Sequence, residues 1–598
     1  MKLSKIYSNF ADIFPAIRFH DGLNVILAEI RLPENKNKDT HNLGKSLLGR
    51  MIDFCFLSER APEFFLFKYP DLFDEFVFCL EIELFDHSYL TIRRSVKNHS
   101  KICFKKHTQR DQDFSWYADD QPEWDHHGVP FERSREMLDG WIDLNSIAPW
   151  HYRSGLGYLI RSQNDYVDVF RLSKFKGKDA GWKPYLIQTL GFDGALLRDI
   201  YQIKSAISEK QTKADAFRYE LNVFSEENDP GKLDGLLLLK RREIAEKTNL
   251  LNQMSFHAAD TEKTRTLVDE VDTEIVRLNA ERYKLMQLQK NIKKSLEDEQ
   301  ILFDPEKAHS IFLEAGVMFE GQIKKDFEQL IAFNNAISSE RQQYLREELS
   351  ELESELSKTN IALLEKENVR SKTLKFLGES DVFDKYKQYS DELVHLRSEV
   401  ESLEKLRSGV HRHKDMLDEI QVMKEKEKYL RFQFTANVAK ENSEESSLFS
   451  KIRLFFDEII KNVINRNALL NVSLNNEGHP EFQSPILDEK GSHTSAGEGH
   501  SYTRLLCVAF DLAVSRSRLT DHYPRFIFHD GVLEGLEPRK KEKLFDIIKQ
   551  YSQLGIQYIV TLLDSEIPPG DSFFDDSDVI LRLHDEGQDG RLFRMESW

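Results

Sequence analysis

Two hydrophobic patterns divide the chain of 598 residues. Near both ends, short apolar runs such as 23–30 and 525–530 alternate with polar loops and amphipathic stretches, as in mixed α/β sheets. From about residue 201 to 440, apolar residues instead recur every three or four positions, which is the helical period. The patterns predict an α/β head assembled from N- and C-terminal lobes, 1–200 and 441–598, joined by a long helical segment.

The helical segment carries a heptad seam typical of a coiled coil. Pro305, Gly316 and Gly321 interrupt it and indicate a turn, so we predict that the segment folds back as an antiparallel coiled coil. One continuous helix in a parallel dimer is the alternative. The predicted parts are an ascending arm 201–300, an apex or turn region 301–340 and a descending arm 341–440. The seam consists of Val268, Val271, Ile275, Leu278, Leu285, Ile292 and Leu296 with the polar members Arg282 and Gln289, then Leu345, Leu349, Leu352, Leu356 and Leu363, then Leu393, Leu396, Val400 and Leu403.

Composition limits the partners that the chain can have. With 83 Lys and Arg against 102 Asp and Glu, the formal net charge is −19, so any contact with double-stranded DNA needs a local basic patch. No run of 18 apolar residues predicts a membrane span, and the N-terminal residues lack the apolar core of a signal peptide. The four cysteines have no CxxC spacing, which favours buried thiols in a cytoplasmic protein. The best DNA-binding candidates, which a solvated surface explains equally well, are Arg93, Arg94, Lys97, Lys101, Lys105 and Lys106.

A phosphate-binding loop is indicated near the N-terminus by the sequence HNLGKS. Such a loop presents backbone N–H groups at the start of a helix, a Lys to the phosphates and a hydroxyl to Mg²⁺. The segment lies between a predicted strand and a predicted helix, although Asp39 stands where the motif has its first Gly. The residues predicted to bind ATP here are Asn42, Leu43, Gly44, Lys45 and Ser46, with Ser46 also binding Mg²⁺.

A second motif, TSAGEGHS at 494–501, resembles the ABC signature LSGGQ. Ser495, Gly497 and Glu498 occupy the Ser, second Gly and Gln positions, and Ala496 replaces the first Gly. A loop of this kind offers a hydroxyl and backbone amides to the γ-phosphate of ATP on another head. The alternative is a Gly-rich turn before a core helix; the position of the motif, a short distance before the next motif, favours the signature.

The third motif is FIFHDG, an apolar strand that ends in an Asp, as in Walker B. Asp530 is predicted to hold Mg²⁺. Gly531 stands where the pattern has the Glu that orients the attacking water, so Glu534 is a candidate replacement, with a solvated loop carboxylate as the alternative. Gln163 is a candidate contact to Mg²⁺ and to the water. The switch His expected after the following strand is absent, and turnover is therefore a weaker prediction than binding.

These motifs, in this order, resemble those of the SMC-like ATPases, which include the chromosome-organising SMC proteins, RecN and the zinc-hook repair ATPases. The apex has no CxxC for a zinc hook and is too short for an SMC hinge, and no acidic cluster resembling a Toprim nuclease follows the head. Segments 311–356, 526–545 and 556–566 look like the SMC-like subunit of Lamassu and related ABC three-component anti-phage systems.

The resemblance implies an ABC-type ATPase head that uses ATP and Mg²⁺ and pairs with a second copy. It also implies an effector nuclease subunit, a small third subunit, and recognition of foreign DNA or of DNA ends. A repair or chromosome-maintenance ATPase of RecN type is one alternative. A scaffold that binds ATP without hydrolysing it is another, favoured by Gly531 and by the missing switch His. The Trp-rich stretch 104–151 is a candidate surface for docking a subunit.

Overall fold

The computed structural model divides the chain into two compact units: the head unit, 1–204 with 425–598, and the helical unit, 205–424. The structure describes residues 1–32, 43–117, 123–175, 177, 179–220, 230–253, 261–297, 321–375, 381–488, 490–494, 499–568, 573–596 and 598. The strands are β1 (Lys2–Ser8), β2 (Ile17–Arg18), β3 (Leu23–Glu29), β4 (Val77–Glu83), β5 (Tyr89–Ser95), β6 (Lys101–His107), β7 (His126–Pro130), β8 (Ile160–Arg161), β9 (Asn471–Leu474), β10 (Pro480–Gln483), β11 (Ile486–Leu487), β12 (His493–Thr494), β13 (Phe526–Asp530), β14 (Gln557–Leu563) and β15 (Val579–His584).

The α-helices follow in chain order. Those that begin in the head unit's N-terminal segment are α1 (Lys45–Cys55), α2 (Phe65–Lys68), α3 (Pro70–Phe73), α4 (Phe131–Ile142), α5 (Tyr152–Leu159), α6 (Lys183–Thr189) and α7 (Gly194–Glu220). The next four are α8 (Pro230–Gln253), α9 (Thr261–Glu297), α10 (Gly321–Lys375) and α11 (Asp381–Ser443). The last three, in the C-terminal segment, are α12 (Leu448–Ile464), α13 (His500–Ser517) and α14 (Pro538–Gln553).

A five-stranded sheet combines both ends of the chain in one layer. Its order is β15-β3-β14-β13-β8, and its strand pairs are parallel. β3 and β8 come from the N-terminal segment and the other three strands from the C-terminal one. All five residues of β13 are buried, which explains the apolar run at 526–528, since strands of parallel sheets are covered on both faces. The predicted fold class, an α/β head assembled from two lobes and joined by long helices, is confirmed.

A six-stranded antiparallel sheet, β2-β1-β4-β5-β6-β7, completes the core of the head unit. The apolar face of α1, which includes Leu48, Met51, Ile52 and Phe54, is buried in the same hydrophobic core as both sheets. This packing fixes α1 and therefore the position of the residues at its N-terminus. The four cysteines are buried, as predicted. Within the described residues, none of the helices has the length and apolar content that a membrane crossing requires.

The helices of the helical unit pair in antiparallel fashion within one chain. Asp272 of α9 contacts Arg370 of α10, and farther along α9 Gln289 donates to Glu353 at 3.0 Å. Higher residue numbers on α9 thus pair with lower residue numbers on α10, so the two helices are antiparallel. This contradicts the alternative of a continuous helix in a parallel dimer. Many seam positions are buried, as a coiled coil requires. They include Val268, Ile275, Leu278, Leu285, Ile292, Leu363, Leu393 and Leu396.

The predicted apex region 301–340 needs a correction on its C-terminal side. Residues 301–320 lie outside the described residues, but 321–340 already belong to α10. Gly321 is the first residue of that helix instead of a break inside a turn. The segment 321–340 contains no proline, so nothing in it prevents helix formation.

Candidate functional site

Lys45 lies at the first position of α1 and is only 8% exposed. Gly44, the residue before it, has φ +95°, and a Cβ at this position would stand 2.7 Å from Cβ of Leu592. The backbone N–H of Leu592 donates to the carbonyl of Leu43 at 3.0 Å, so the C-terminal segment holds the loop in place. Among the residues that the structure describes, no side chain caps this helix. Its N-terminus is therefore a positively polarised end at which a phosphate would be stabilised.

The ammonium group of Lys45 lies in the field of several carboxylates. Burial lowers the pKa of Lys45, against the attraction of nearby Glu566, Asp530, Glu534 and Asp564, which raises it. These acidic groups lie at the end of β13 or in the segments that follow the neighbouring strands β13 and β14. In parallel sheets, ligands bind at this carboxyl edge. The structure thus brings together the predicted Lys45, Asp530 and Glu534 in one electrostatic environment.

Asp530, the last residue of β13, has different surroundings at its two carboxylate oxygens. Thr561, its neighbour on β14, donates its hydroxyl hydrogen to Oδ1 of Asp530, and the N–H of Gly531 donates to Oγ1 of Thr561 at 3.1 Å. Oδ2 of Asp530 is buried without a hydrogen-bond partner in the described part of the chain. A buried acceptor of this kind is costly to leave unsatisfied. The carboxylate oxygen of Asp530 and the hydroxyl of the exposed residue Ser46 are both of the hard oxygen type that Mg²⁺ prefers.

Gln163 packs against Gly531, directly after Asp530. Gly531 has φ +71°, and a Cβ added there would lie 3.2 Å from Nε2 of Gln163. The missing Glu is therefore disfavoured both by backbone strain and by space. Gln163 begins a short 3₁₀ turn, Gln163–Tyr166, held by a capping box between Ser162 and Asp165. The structure thus places Gln163 beside Gly531, in the segment predicted to be Walker B.

Glu534 is bonded to α13, the helix that follows the predicted signature motif. Arg504, a buried residue of α13, donates to Oε2 of Glu534 at 2.7 Å and to its backbone carbonyl at 3.2 Å. The Glu534 side chain is 61% exposed, so its carboxylate is oriented by Arg504 while remaining accessible to solvent. Ser495, Gly497 and Glu498 lie outside the described residues, as does Asn42.

Sequence reasoning missed two acidic residues of this site, Asp564 and Glu566. The N–H of Leu563 donates to Oε2 of Glu566 at 2.9 Å, and the N–H of Ile30 donates to Oδ2 of Asp564 at 3.2 Å. Burial raises the pKa of Glu566, against the opposing attraction of Lys45. The signal was available: β14 is an apolar strand followed at once by Asp-Ser-Glu, and carboxyl ends of adjacent parallel strands meet at one edge.

A buried ion pair, also missed, lies beneath the site. Arg161 at the end of β8 donates from Nε to Oδ2 of Asp511 at 2.7 Å and from Nη2 to Oδ1 at 2.9 Å. His529 of β13 contacts Oδ2 of Asp511 at 2.9 Å through Nε2, and its Nδ1 lies 2.6 Å from the Tyr558 hydroxyl. The Arg161 and His529 side chains are 0% exposed. Burial lowers the pKa of His529, although the adjacent Asp511 raises it.

The same arginine organises the turn that carries Gln163. Arg161 also donates from Nη1 to the carbonyl of Asp165 at 2.8 Å and from Nη2 to the carbonyl of Val169 at 3.2 Å. Asp511 belongs to α13, the helix after the signature motif, and His529 immediately precedes Asp530. One buried guanidinium thus fixes three parts of the candidate site relative to one another.

The predicted basic cluster for DNA is wrong in part. Arg93 and Arg94 are 7% and 0% exposed, because β5 is an inner strand of the antiparallel sheet and adjacent residues point to opposite, covered faces. Arg94 donates to the carbonyl of Phe54 at 2.6 Å. Of the remaining candidates, Lys101 is exposed. The other three are neutralised by carboxylates in the pairs Lys97–Glu75 at 3.1 Å, Lys105–Asp125 at 2.9 Å and Lys106–Asp86 at 2.8 Å.

Residues 459–597, a part of the head unit, match a family model described as an uncharacterised protein conserved in bacteria (DUF2326). A comparison with curated proteins found no match. Among solved structures, the chain is similar to an Smc head domain with a coiled coil and joint from Pyrococcus yayanosii: identity is 15%, the TM-score is 0.34, and 94% of this chain and 92% of that chain are covered. It is also similar to an Smc head domain with an extended coiled coil bound to the C-terminal domain of ScpA from Pyrococcus furiosus, with 13% identity, TM-score 0.33 and coverage of 95% and 90%.

Proposed function

We propose that the chain binds ATP and Mg²⁺ in its head unit. The observation that carries this proposal is the placement of Lys45 at a helix N-terminus, in the electrostatic field of a buried Asp530. Among the described residues, no side chain caps that helix and Oδ2 of Asp530 has no hydrogen-bond partner. Lys45 and the backbone of Leu43 and Gly44 would hold the phosphates. Mg²⁺, when bound, would neutralise charge on the phosphates. Ser46, Asp530 and Gln163 would hold the cation.

A second copy of the chain completes the proposed site. Ser495, Gly497 and Glu498 of one head would meet the nucleotide held by the other, so that ATP binding pairs the heads. Because α13 begins just after these residues, with Arg504 and Asp511 on it, closure would act directly on Glu534 and on the buried ion pair. Glu534 and Gln163 would orient the attacking water.

The proposed biological role is that of an SMC-like, DNA-sensing ATPase subunit in a bacterial anti-phage complex of Lamassu type. The support for this is the resemblance of segments 311–356, 526–545 and 556–566. In this role, ATP-bound heads would sense double-stranded DNA or its ends and control an effector nuclease, together with a small third subunit. The burial of Arg93 and Arg94 shifts the expected DNA contact away from β5.

A scaffold that binds ATP without hydrolysing it is the second candidate. The positive φ of Gly531, with Gln163 filling the space beside it, favours this function. The pairing of Glu534 with Arg504 favours it too, since a carboxylate already engaged by a guanidinium is a poorer partner for water. The two candidates share ATP binding and differ in turnover.

Removing the Lys45 ammonium group tests ATP binding itself. Lys45→Ala is expected to weaken ATP affinity about thirtyfold, because one charge-assisted hydrogen bond to phosphate is lost, about 2 kcal/mol. Isothermal titration with ATP and Mg²⁺ measures this. The control is Lys68→Ala. Lys68 lies in the short helix α2 of the same unit, away from the N-terminus of α1 in sequence, so this variant should bind ATP as the wild type does. Equal affinity of the Lys45 variant and the wild type would refute the proposed site.

Comparing DNA substrates tests the sensing role. Linear duplex DNA is expected to raise steady-state ATP turnover about fivefold or more over covalently closed circles of equal length, within the usual range of allosteric coupling. Lys45→Ala should remove both basal and stimulated turnover. Turnover that is identical with and without DNA argues against sensing. Tight ATP binding without any turnover, in the presence of DNA, identifies the scaffold.

A further inference from the structure

A long groove crosses the helical unit where four of its helices meet. Residues of α8, α9, α10 and α11 line it, and its volume is about 1580 Å³. A helix about 10 Å across would fill this volume with roughly four turns. All the lining residues belong to 205–424, so the groove is complete within this unit.

Apolar side chains line the base of the groove and its rims. Ile275 and Val394 are buried in the small hydrophobic cluster of this unit, whereas Tyr283, Met286 and Leu364 are each more than half exposed. Single exposed apolar residues are ordinary on a protein surface, but a set along one groove marks an interaction site. Met and Tyr are well suited to such a site, because Met adapts its shape and Tyr offers a large amphipathic ring.

The charge of the groove is opposite to that of the chain. Seven Lys and Arg line it against three Asp and Glu, although the chain has a net charge of −19. Lys240 is paired with Glu399 at 2.9 Å. Four other lining cations have no carboxylate partner within the described residues, and they are Arg282, Lys284, Lys290 and Lys387. The groove thus combines an apolar base with unpaired positive charge.

Arg282 also explains an irregularity of the sequence. It occupies a seam position of α9 at which a coiled coil has an apolar residue. In the structure its side chain is exposed and lines the groove. The seam is therefore interrupted where the four helices meet, and a residue of the partner would be needed to cover the apolar side chains beside it.

We propose that this groove binds an acidic amphipathic helix of a partner protein. The apolar face of that helix would lie on Ile275, Met286 and Leu364, and its carboxylates would pair with the four cations. Duplex DNA fits this surface less well, because the apolar base would strip water from phosphates without offering hydrogen bonds in return. The proposal is independent of ATP binding, since it uses only residues of the helical unit.

A synthetic peptide tests the proposal on the full chain. The probe is a fluorescein-labelled helix about four turns long, with Leu at the i, i+3, i+4 and i+7 positions and Glu on the opposite face. Fluorescence anisotropy should show saturable binding of this peptide and at least about tenfold weaker binding of a scrambled peptide of equal composition. Equal binding of both peptides, or no binding of either, would overturn the proposal.

Paired charge reversals then locate the site. Arg282→Glu with Lys387→Glu should weaken binding of the patterned peptide about tenfold. Lys358→Glu with Lys414→Glu, two exposed lysines of α10 and α11 outside the groove, changes the net charge equally and should leave binding unchanged. If both double variants weaken peptide binding equally, the effect reflects only the net charge of the protein, and the proposal is overturned.

Two further measurements cover the case in which the groove variant does not fold. If the groove variant loses helicity by circular dichroism, Met286→Gln, which keeps the charge, should still weaken peptide binding severalfold, and unchanged binding contradicts the proposal. A labelled DNA duplex is titrated in parallel. Duplex binding that depends on Arg282 and Lys387, without peptide binding, would assign the groove to DNA and refute an acidic helix.

Discussion

Replacing Glu534 by Gln is expected to slow ATP hydrolysis within a single turnover by about 100-fold while leaving ATP affinity unchanged, because an amide cannot accept the proton of the attacking water. Glu534 follows the Walker B strand closely, acts electrostatically on Lys45 and is held by Arg504 at 2.7 Å. Rapid-quench measurement with excess enzyme separates this chemical step from product release.

A matched carboxylate lies a little farther along the chain. Glu537 is exposed and pairs with Lys540 at 3.2 Å, so Glu537→Gln should retain turnover within about twofold of the wild type. Gly531→Glu should not raise the rate, since its backbone has φ +71° and Gln163 occupies the adjacent space. A faster Gly531→Glu enzyme, or equal rates for the Glu534 and Glu537 variants, would place the base elsewhere, with Glu566 as the next carboxylate to test.

Replacing Arg161 by Met is expected to lower the free energy of unfolding of the head unit by about 3–5 kcal/mol, because it leaves the Asp511 carboxylate buried without its cation. Tryptophan fluorescence during urea unfolding measures this loss. All six tryptophans lie within 1–204 and 425–598, so the signal reports on the head unit and not on the helical unit.

The double variant Arg161→Met with Asp511→Leu is the informative control. It removes both charges together, and an apolar pair of similar volume is often nearly neutral in place of a buried ion pair. We expect it to recover at least about half of the stability lost in the single variant. If the double variant is as unstable as the sum of both single ones, the two side chains contribute independently, and the ion pair does not link β8 to α13.

Short sequence patterns predicted those site residues whose role depends on their immediate neighbours in the chain. Lys45 and Ser46 begin a helix that follows an apolar strand and a short loop, and Asp530 ends a strand that starts with the apolar run 526–528, so each could be recognised from its neighbours. The Arg161–Asp511 pair joins residues 350 positions apart. No pattern within a short window indicates such a pair, because only the assembled parallel sheet brings β8 beside β13.

The two wrong predictions, the exposure of Arg93 and Arg94 and the start of the descending arm, have a similar origin. Arg93 and Arg94 stand in a run with several lysines, which on an edge strand would be an exposed basic patch. They lie instead on an inner strand covered on both faces, where Arg94 stacks on Phe54 and Phe131. The heptad seam together with its Pro and Gly interruptions predicted the antiparallel pairing correctly. A helical period does not mark where a helix begins, however, and α10 already starts at Gly321, well before the predicted arm 341–440.

The order of strands in the parallel sheet also constrains how the protein is made. β3 lies between β14 and β15, so both of its neighbours are synthesised only near the C-terminal end of the chain. At a translation rate of about 5–20 residues per second, β3 waits roughly half a minute to two minutes for a pairing partner on the ribosome. Throughout that interval the nascent chain exposes an apolar strand with two unpaired edges. An mRNA truncated within the region that encodes the helical arms would supply only β3 and β8, two of the five strands, which are not neighbours in the sheet. Such a fragment would be a substrate for chaperones and proteases.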